Sequence, residues 1–328
     1  MKKIISFTLY TLFTLSLSAQ VNWVNVDAEF GQLPNNFHVY KTTDSLDGKP
    51  FIAYYAEALL KDKNLIFDTD TTFKRRFTPT QFFEKNDKPL LVVNGTFFSF
   101  ATNSNLNVVI KNGEIVSYNL HTIPGRGKDT LTYKHPFASA LGITKKRKAD
   151  VAWVYTDSSL RKPYASQMEF NYVKDSSKTF SFSDAKYATD LILGHGGDLA
   201  QSLKKWKMQT AIGGGPVLVQ NGEIKITNNE EQKFAGKAID DAHPRTCMGY
   251  TNDGKLIVLV IQGRSINAAG ATLLQEATLL KNLGCVEALN LDGGGSSCML
   301  INGKETIKPS DKEGQRPNPA VFIIKQKK

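Results

Sequence analysis

Three Asn-Gly pairs, Asn112-Gly113, Asn221-Gly222 and Asn302-Gly303, each lie between short apolar runs. Both residues of such a pair tolerate positive φ, which a tight hairpin turn demands. The flanks repeat too. Val108-Val109-Ile110-Lys111 precedes the first pair, Val217-Leu218-Val219-Gln220 the second and Met299-Leu300-Ile301 the third. Asp253-Gly254 reads as a fourth turn of this kind. A chain folded back at these points is rich in β-structure. Each of the three hairpins also follows a polar or glycine-rich stretch, at residues 94–98, 213–216 and 292–297. Hairpins alone are common, but hairpins that each trail such a stretch suggest one site assembled from distant segments.

The last third of the chain is the most legible. Residues 255–261 form a continuous apolar run after Lys255, as in a strand covered on both faces. Thr272 and Gln275 have the spacing of a capping box. Leu273, Ala277, Leu280 and Leu283 fall on one helical face, and Gly284 suits the helix end. Residues 286–291 read as a second buried strand that stops at Asp292. A strand-helix-strand unit is therefore expected, with Arg264 and Asp292 at the same edge of a parallel sheet. Further back, residues 80–85 after Pro79 predict a short helix, and 90–93 and 151–155 predict strands. Residues 51–60 suit strand or helix, and 163–178 a loop with short strands. The expected class is mixed α+β: sheets with Asn-Gly hairpins, a few packing helices and that one strand-helix-strand unit.

The N-terminus bears on compartment. Lys2 and Lys3 precede an apolar stretch over residues 4–17 and then Ser18-Ala19-Gln20, the pattern of a secretory signal cleaved after Ala19. No later segment is long and apolar enough to span a bilayer as a helix. A secreted or periplasmic protein is expected, with no stable membrane anchor after signal cleavage. Residues 20–79 are expected to be strands and loops integrated with a main domain over 80–328, with an elaboration at about 118–210. The formal charge of +10 falls to +8 without Lys2 and Lys3, which favours anionic partners. Part of that charge is local, at residues 145–148 and 325–328. No nucleic-acid-binding signature accompanies it. Cys247, Cys285 and Cys298 lack metal-site spacing and are expected to be buried thiols. His38, His121, His135, His195 and His243 show no H-x-x-x-H pattern.

The polar words carry the chemistry. Asp292 sits where a strand stops and Gly293, Gly294 and Gly295 begin. Successive backbone N–H groups there are able to form an anion-binding nest, and Ser296 and Ser297 add hydroxyls. Such a carboxylate serves as nucleophile, base or metal ligand, or merely holds a tight turn. Arg245 follows Pro244, and Arg264 follows Gly263. Two arginines from separate strands suit a grip on phosphate or carboxylate, or a structural ion pair. Asn94 ends a buried strand, in position to bind a sugar hydroxyl, orient a carboxylate or make a turn. Gly213, Gly214 and Gly215 lack the Gly-Lys-Ser/Thr ending of a nucleotide-binding loop, and no Gly-x-Ser-x-Gly elbow occurs. Residues 194–198, with His195, are a glycine-rich loop within reach of such a site.

Taken in order, Asn94-Gly95-Thr96-Phe97-Phe98, Ala211-Ile212-Gly213-Gly214-Gly215-Pro216, His243-Pro244-Arg245-Thr246, Gly263-Arg264 and residues 290–297 resemble the phosphodiester glycosidase family. The resemblance runs from about residue 80 to the C-terminus and is loose over 118–210. Thr96 departs from it, because the family more often has a second glycine there. The resemblance implies hydrolysis of a sugar-1-phosphodiester to free sugar and a phosphate monoester. Asp292 would serve at the anomeric carbon as nucleophile or general base, Arg245 and Arg264 would neutralise phosphate, and His243 would assist proton transfer. Asn94, Gly95, Thr96, Gly213, Gly214, Gly215, Gly293, Gly294, Gly295, Ser296 and Ser297 would line the substrate site. Asp198, Asp240, Asp241 and Glu276 are the candidates for a second carboxylate. The expected partner is a sugar-phosphate or phosphoglycan, not nucleic acid. No cofactor is assigned, and a divalent cation stays open. Two other readings use the same residues: a non-enzymatic glycan- or anion-binding protein, and a metal-dependent phosphodiesterase that cuts P–O.

Overall fold

The computed structural model describes residues 21–192 and 203–327. The expected leader at 1–19 and the 194–198 loop lie outside the described residues.

The Asn-Gly pairs at 112–113, 221–222 and 302–303 make two-residue hairpins. Lys111 pairs with Glu114, Gln220 with Glu223 and Ile301 with Lys304. Both turn residues have positive φ in each case. The Asp253-Gly254 turn differs. Only Gly254 takes positive φ, and its N–H donates to Thr251 O at 3.0 Å, so the loop is one residue longer.

Among the described residues the strands form three large antiparallel sheets, of eight, seven and five strands. The eight-stranded sheet holds Phe37–Thr42, Ala53–Leu59, Lys255–Ile261, Arg245–Thr251, Cys285–Asn290 and Val217–Gln220 in adjacent positions. Residues 51–60, open between strand and helix in the sequence, supply the second of these.

Alternation along Lys255–Ile261 shows why the run is apolar throughout. Leu256, Val258 and Val260 enter a central core shared with Leu141 and Val109 of the seven-stranded sheet and Leu91, Val93 and Phe322 of the five-stranded one. Ile257, Leu259 and Ile261 face the opposite way, against the helix Leu273–Asn282 through Leu273, Ala277 and Leu280. Full burial of each such leucine, isoleucine or valine side chain contributes about 1.5–3 kcal/mol. The capping box is present: Thr272 Oγ1 accepts from Gln275 N at 3.2 Å, and Gln275 Oε1 accepts from Thr272 N at 2.9 Å. Gly284 lies just past the helix at φ 82°. A second helix, Pro79–Lys85, covers the five-stranded sheet with Phe82.

The strand-helix-strand unit exists, but not within a parallel sheet. Arg245–Thr251 lies between the unit's two strands and runs antiparallel to both. The two outer strands therefore point the same way, with their C-terminal ends at one edge. The inserted strand starts at that edge. Arg245, the residues after Ile261 and Asp292 consequently meet at one place, a result reached through an antiparallel ladder.

Candidate active site

Asn94 is the hub that holds the edge together. It ends the strand Leu91–Asn94 and is fully buried. Its Oδ1 accepts from Thr246 Oγ1 at 2.9 Å and from Cys298 N at 3.1 Å, and its Nδ2 donates to Asp292 O at 2.6 Å. One amide thus ties together three segments distant in sequence, and it spends its donors and acceptors inside the protein. Gly95 O accepts from Asp292 N at 2.9 Å, and Gly95 N donates to Ala320 O at 3.2 Å. Thr96 is buried, and its hydroxyl donates to Asn105 Oδ1.

The 213–216 segment braces the same edge from the other side. Gly213 N donates to Val108 O at 2.8 Å, Gly214 N to Ser139 O at 3.0 Å and Gly215 N to Asn290 O at 2.7 Å. Asn290 Nδ2 donates back to Gly215 O at 2.9 Å. What approaches these glycines is the protein's own packing. Gly215 has φ 113°, and a Cβ there would collide with the carboxylate of Glu231.

Glu231 has no counterpart in the sequence motifs. It is fully buried and accepts from Ser139 N and Oγ (both 2.9 Å), Trp153 Nε1 (3.2 Å), Val217 N (2.8 Å) and Thr227 Oγ1 (2.7 Å). Nearby Lys233 lies over the Phe97 ring, and burial lowers its ammonium to about 8. Phe97 meets Phe234 edge-on at 5.9 Å, and the Arg245 guanidinium lies over Phe234 at 5.4 Å.

The Asp292 turn is the centre of the arrangement. Desolvation pushes the Asp292 carboxyl up to about 7, although the residue keeps partial contact with solvent. The Ser296 hydroxyl, the Arg316 guanidinium and the Gly293 N–H pull in the opposite sense. Gly294 N donates to Pro244 O at 2.8 Å, and Gly294 takes φ 63°. A Cβ on Gly295 would collide with both Arg316 and Asp311, so a side chain there would displace the cation beside Asp292. Ser296 is buried, and Ser297 keeps a buried hydroxyl without a protein partner.

The two motif arginines flank this turn in different ways. Arg245 is 2% exposed. Its Nε donates to Ala271 O at 2.9 Å and its Nη2 to Asp241 O at 3.2 Å, with Glu276 Oε2 4.0 Å from Nε. Much of its fork is therefore engaged inside the protein. Arg264 is exposed, adopts left-handed backbone at φ 58° and lies against Gly294. Among the described residues no carboxylate lies within ion-pair distance of it. His243 is held below the usual imidazole range by burial and by the charges of Arg245 and Arg264, and its Nδ1 is buried without a partner.

The cation whose charge lowers the Asp292 carboxyl is Arg316, which no motif announces. It pairs with Asp311 through two contacts, at 2.8 and 2.9 Å, and donates to Ser296 Oγ at 3.5 Å. It lies in a polar Pro/Gly-containing stretch without periodicity, so local patterning offered no signal. Of the candidate second carboxylates, Asp240 and Asp241 are exposed, and Asp198 lies outside the described residues. Glu276 is fully buried behind Arg245, and burial pushes it up to about 7. Among the described residues no three His, Cys, Asp or Glu side chains gather as a metal site, and all three cysteines are buried free thiols.

The sheet edge thus gathers these segments around one perturbed carboxylate. The phosphodiester glycosidase family matches residues 87–325, and the chain belongs to that family. Mouse N-acetylglucosamine-1-phosphodiester alpha-N-acetylglucosaminidase is 31% identical over 102 residues, 29% of this chain and 20% of that protein. The SPbeta prophage-derived uncharacterized protein YomE of Bacillus subtilis (strain 168) is 39% identical over 69 residues, 21% of this chain and 11% of that one. The aligned stretches thus span a fifth or less of these curated relatives. The zebrafish N-acetylglucosamine-1-phosphodiester alpha-N-acetylglucosaminidase catalytic domain, auto-inhibited by its pro-peptide, shares the fold at a TM-score of 0.53. It is 21% identical, over 90% of this chain and 85% of that one. A hypothetical protein from Synechocystis shares the fold at a TM-score of 0.59, with 13% identity over 93% of this chain and 64% of that one.

Proposed function

We propose that this protein is an exported glycosidase that hydrolyses the anomeric C–O bond of a sugar-1-phosphodiester. The observation that carries the reading is Asp292. Its carboxyl is raised to about 7 inside a turn with Arg316 on one side and Arg245 and Arg264 around Gly293 and Gly294. Its ionised form supplies negative charge at the anomeric carbon or takes a proton from the attacking water. The electron pair of the broken C–O bond stays on the phosphate oxygen, where guanidinium charge stabilises it. The leaving phosphate is already acidic, so its protonation matters less than in an ordinary glycoside. On this reading residues 80–328 form the catalytic unit, with 118–210 as an elaboration. Residues 20–79 are integrated with that unit, and residues 1–19 direct export to the periplasm or the medium.

Hydrolysis of a sugar-1-phosphodiester in ¹⁸O-water tests the bond cleaved. The label is expected in the free sugar and not in the phosphate monoester. Label in the phosphate would instead establish P–O cleavage and end the glycosidase reading.

Arg264→Ala isolates the anion grip, because no protein carboxylate depends on this side chain. KM for a charged diester is expected to rise about tenfold or more, the loss of one charge-assisted contact. KM for an uncharged aryl glycoside and the thermal midpoint should stay unchanged. An equal KM rise on both substrates removes Arg264 from phosphate binding.

A further inference from the structure

Five cation-over-ring contacts link residues 73–77, Phe98 and Phe100 with Arg316, whose charge acts on Asp292. Lys74 Nζ lies 5.2 Å from the Phe73 centroid, and Arg75 lies 5.3 Å from Phe77. Arg76 lies 5.2 Å from both Phe98 and Phe100, and Arg316 lies 5.5 Å from Phe100. Phe73 is 82% exposed and Phe100 62%, so two phenyl rings face water among four cations. Among the described residues, no carboxylate lies within ion-pair distance of Lys74, Arg75 or Arg76. Asp311 answers Arg316 alone.

The patch is anchored to the site. Thr72 N donates to Pro319 O at 2.8 Å, Phe77 N to Asn318 O at 2.9 Å and Asn318 N to Phe77 O at 2.7 Å. Both ends of the 72–77 segment are thus fastened to the strand entry that follows Arg316. Arg316 reaches Ser296 and acts on Asp292, so the patch begins where the candidate site ends.

We infer that this surface binds further units of a polymeric glycan whose sugars are joined through phosphodiesters, so that the substrate is a chain and not an isolated sugar phosphate. The inference rests on the proposed reaction. Cations without counter-charges complement repeated phosphates. Exposed phenyl rings offer flat apolar area to sugar faces. Single-stranded nucleic acid has similar features, but the patch is continuous with a carboxylate site in a member of the phosphodiester glycosidase family. The phosphoglycan is therefore the occupant favoured here.

The test uses the full chain, with Arg76→Ala and Phe73→Ala variants and three probes. These are a single sugar-1-phosphodiester, an oligomer of several such repeats and a poly-dT oligonucleotide. Each variant is expected to lose about tenfold in affinity for the oligomer. Neither should change kcat/KM on the single unit. For Arg76→Ala the salt dependence of oligomer binding should also flatten, by about 0.7 in the slope of log K against log salt. Three results would overturn the inference: unchanged oligomer affinity, equal losses on the single unit, or wild-type binding of poly-dT as tight as of the oligomer. Oligomer affinity is read by calorimetry, independently of turnover. Absence of hydrolysis by the wild type therefore defeats the proposed reaction, while the binding data still decide the patch.

Discussion

Asp292→Asn is expected to cut turnover sharply and to make the protein more stable at pH 8. The activity loss follows from the role proposed for the carboxylate and amounts to about 10²–10⁴-fold for a general base. The stability gain follows from linkage. The Asp292 carboxyl is raised from an ordinary value of 3.8 to about 7 in the folded chain. Between those values the unfolded chain has released its proton and the folded chain retains it. Folded-state stability is therefore full below about pH 3, declines as pH rises from there toward 7 and stays low above it. An amide never ionises, so the variant escapes that decline. Allowing for partial solvation, the gain at pH 8 is about 2 kcal/mol, or roughly 3 °C in thermal midpoint for a chain of this size. It should vanish below about pH 3, where the wild-type carboxyl is neutral in both states. Unchanged turnover on a sugar-1-phosphodiester would take Asp292 out of the mechanism. A variant less stable than wild type at pH 8 would refute the strain on its charge.

Arg245→Ala is expected to cost about 3–5 kcal/mol of stability at pH 8, the scale for stranding one partner of a buried ion pair. The partner is Glu276, whose two carboxylate oxygens are buried without a hydrogen bond and whose Oε2 lies 4.0 Å from Arg245 Nε. The loss should shrink at pH 5. Glu276, already raised to about 7, is neutral there, and no charge is then stranded. The double variant Arg245→Met with Glu276→Leu should recover most of the loss, since replacing both charges with apolar groups removes the penalty. Thermal unfolding at both pH values measures this directly. A stable Arg245→Ala variant with only a raised KM would assign this arginine to phosphate alone.

These two residues mark how far the sequence could be read. Asp292 was legible because a buried-strand pattern stops at it and glycines follow. Arg245 was legible as a cation at a strand start, but its direction was not. Its Nε and Nη2 turn inward to Ala271 O and Asp241 O, and that choice depends on a helix and a loop met only in three dimensions. The glycines at 213–215 signalled close approach, yet the approaching groups are Asn290 and Glu231 of the same chain. The strand-helix-strand unit was recognisable from its cap and its periodicity. The strand inserted between its two strands was not, because sheet order leaves no trace in local alternation.

Local preferences were decided by the amino acids alone: the Asn-Gly turns, the capped helices, the doubly buried strand at 255–261 and the order of the polar words. Those features arise within a few residues, where backbone torsion and side-chain period act. Tertiary structure decided the partners. Asn94 meets Asp292 across 198 positions, and Arg316 stands beside that carboxylate without any motif of its own. Contacts at such separations are selected by the register and packing of whole sheets, and these emerge only when every strand has found its neighbours.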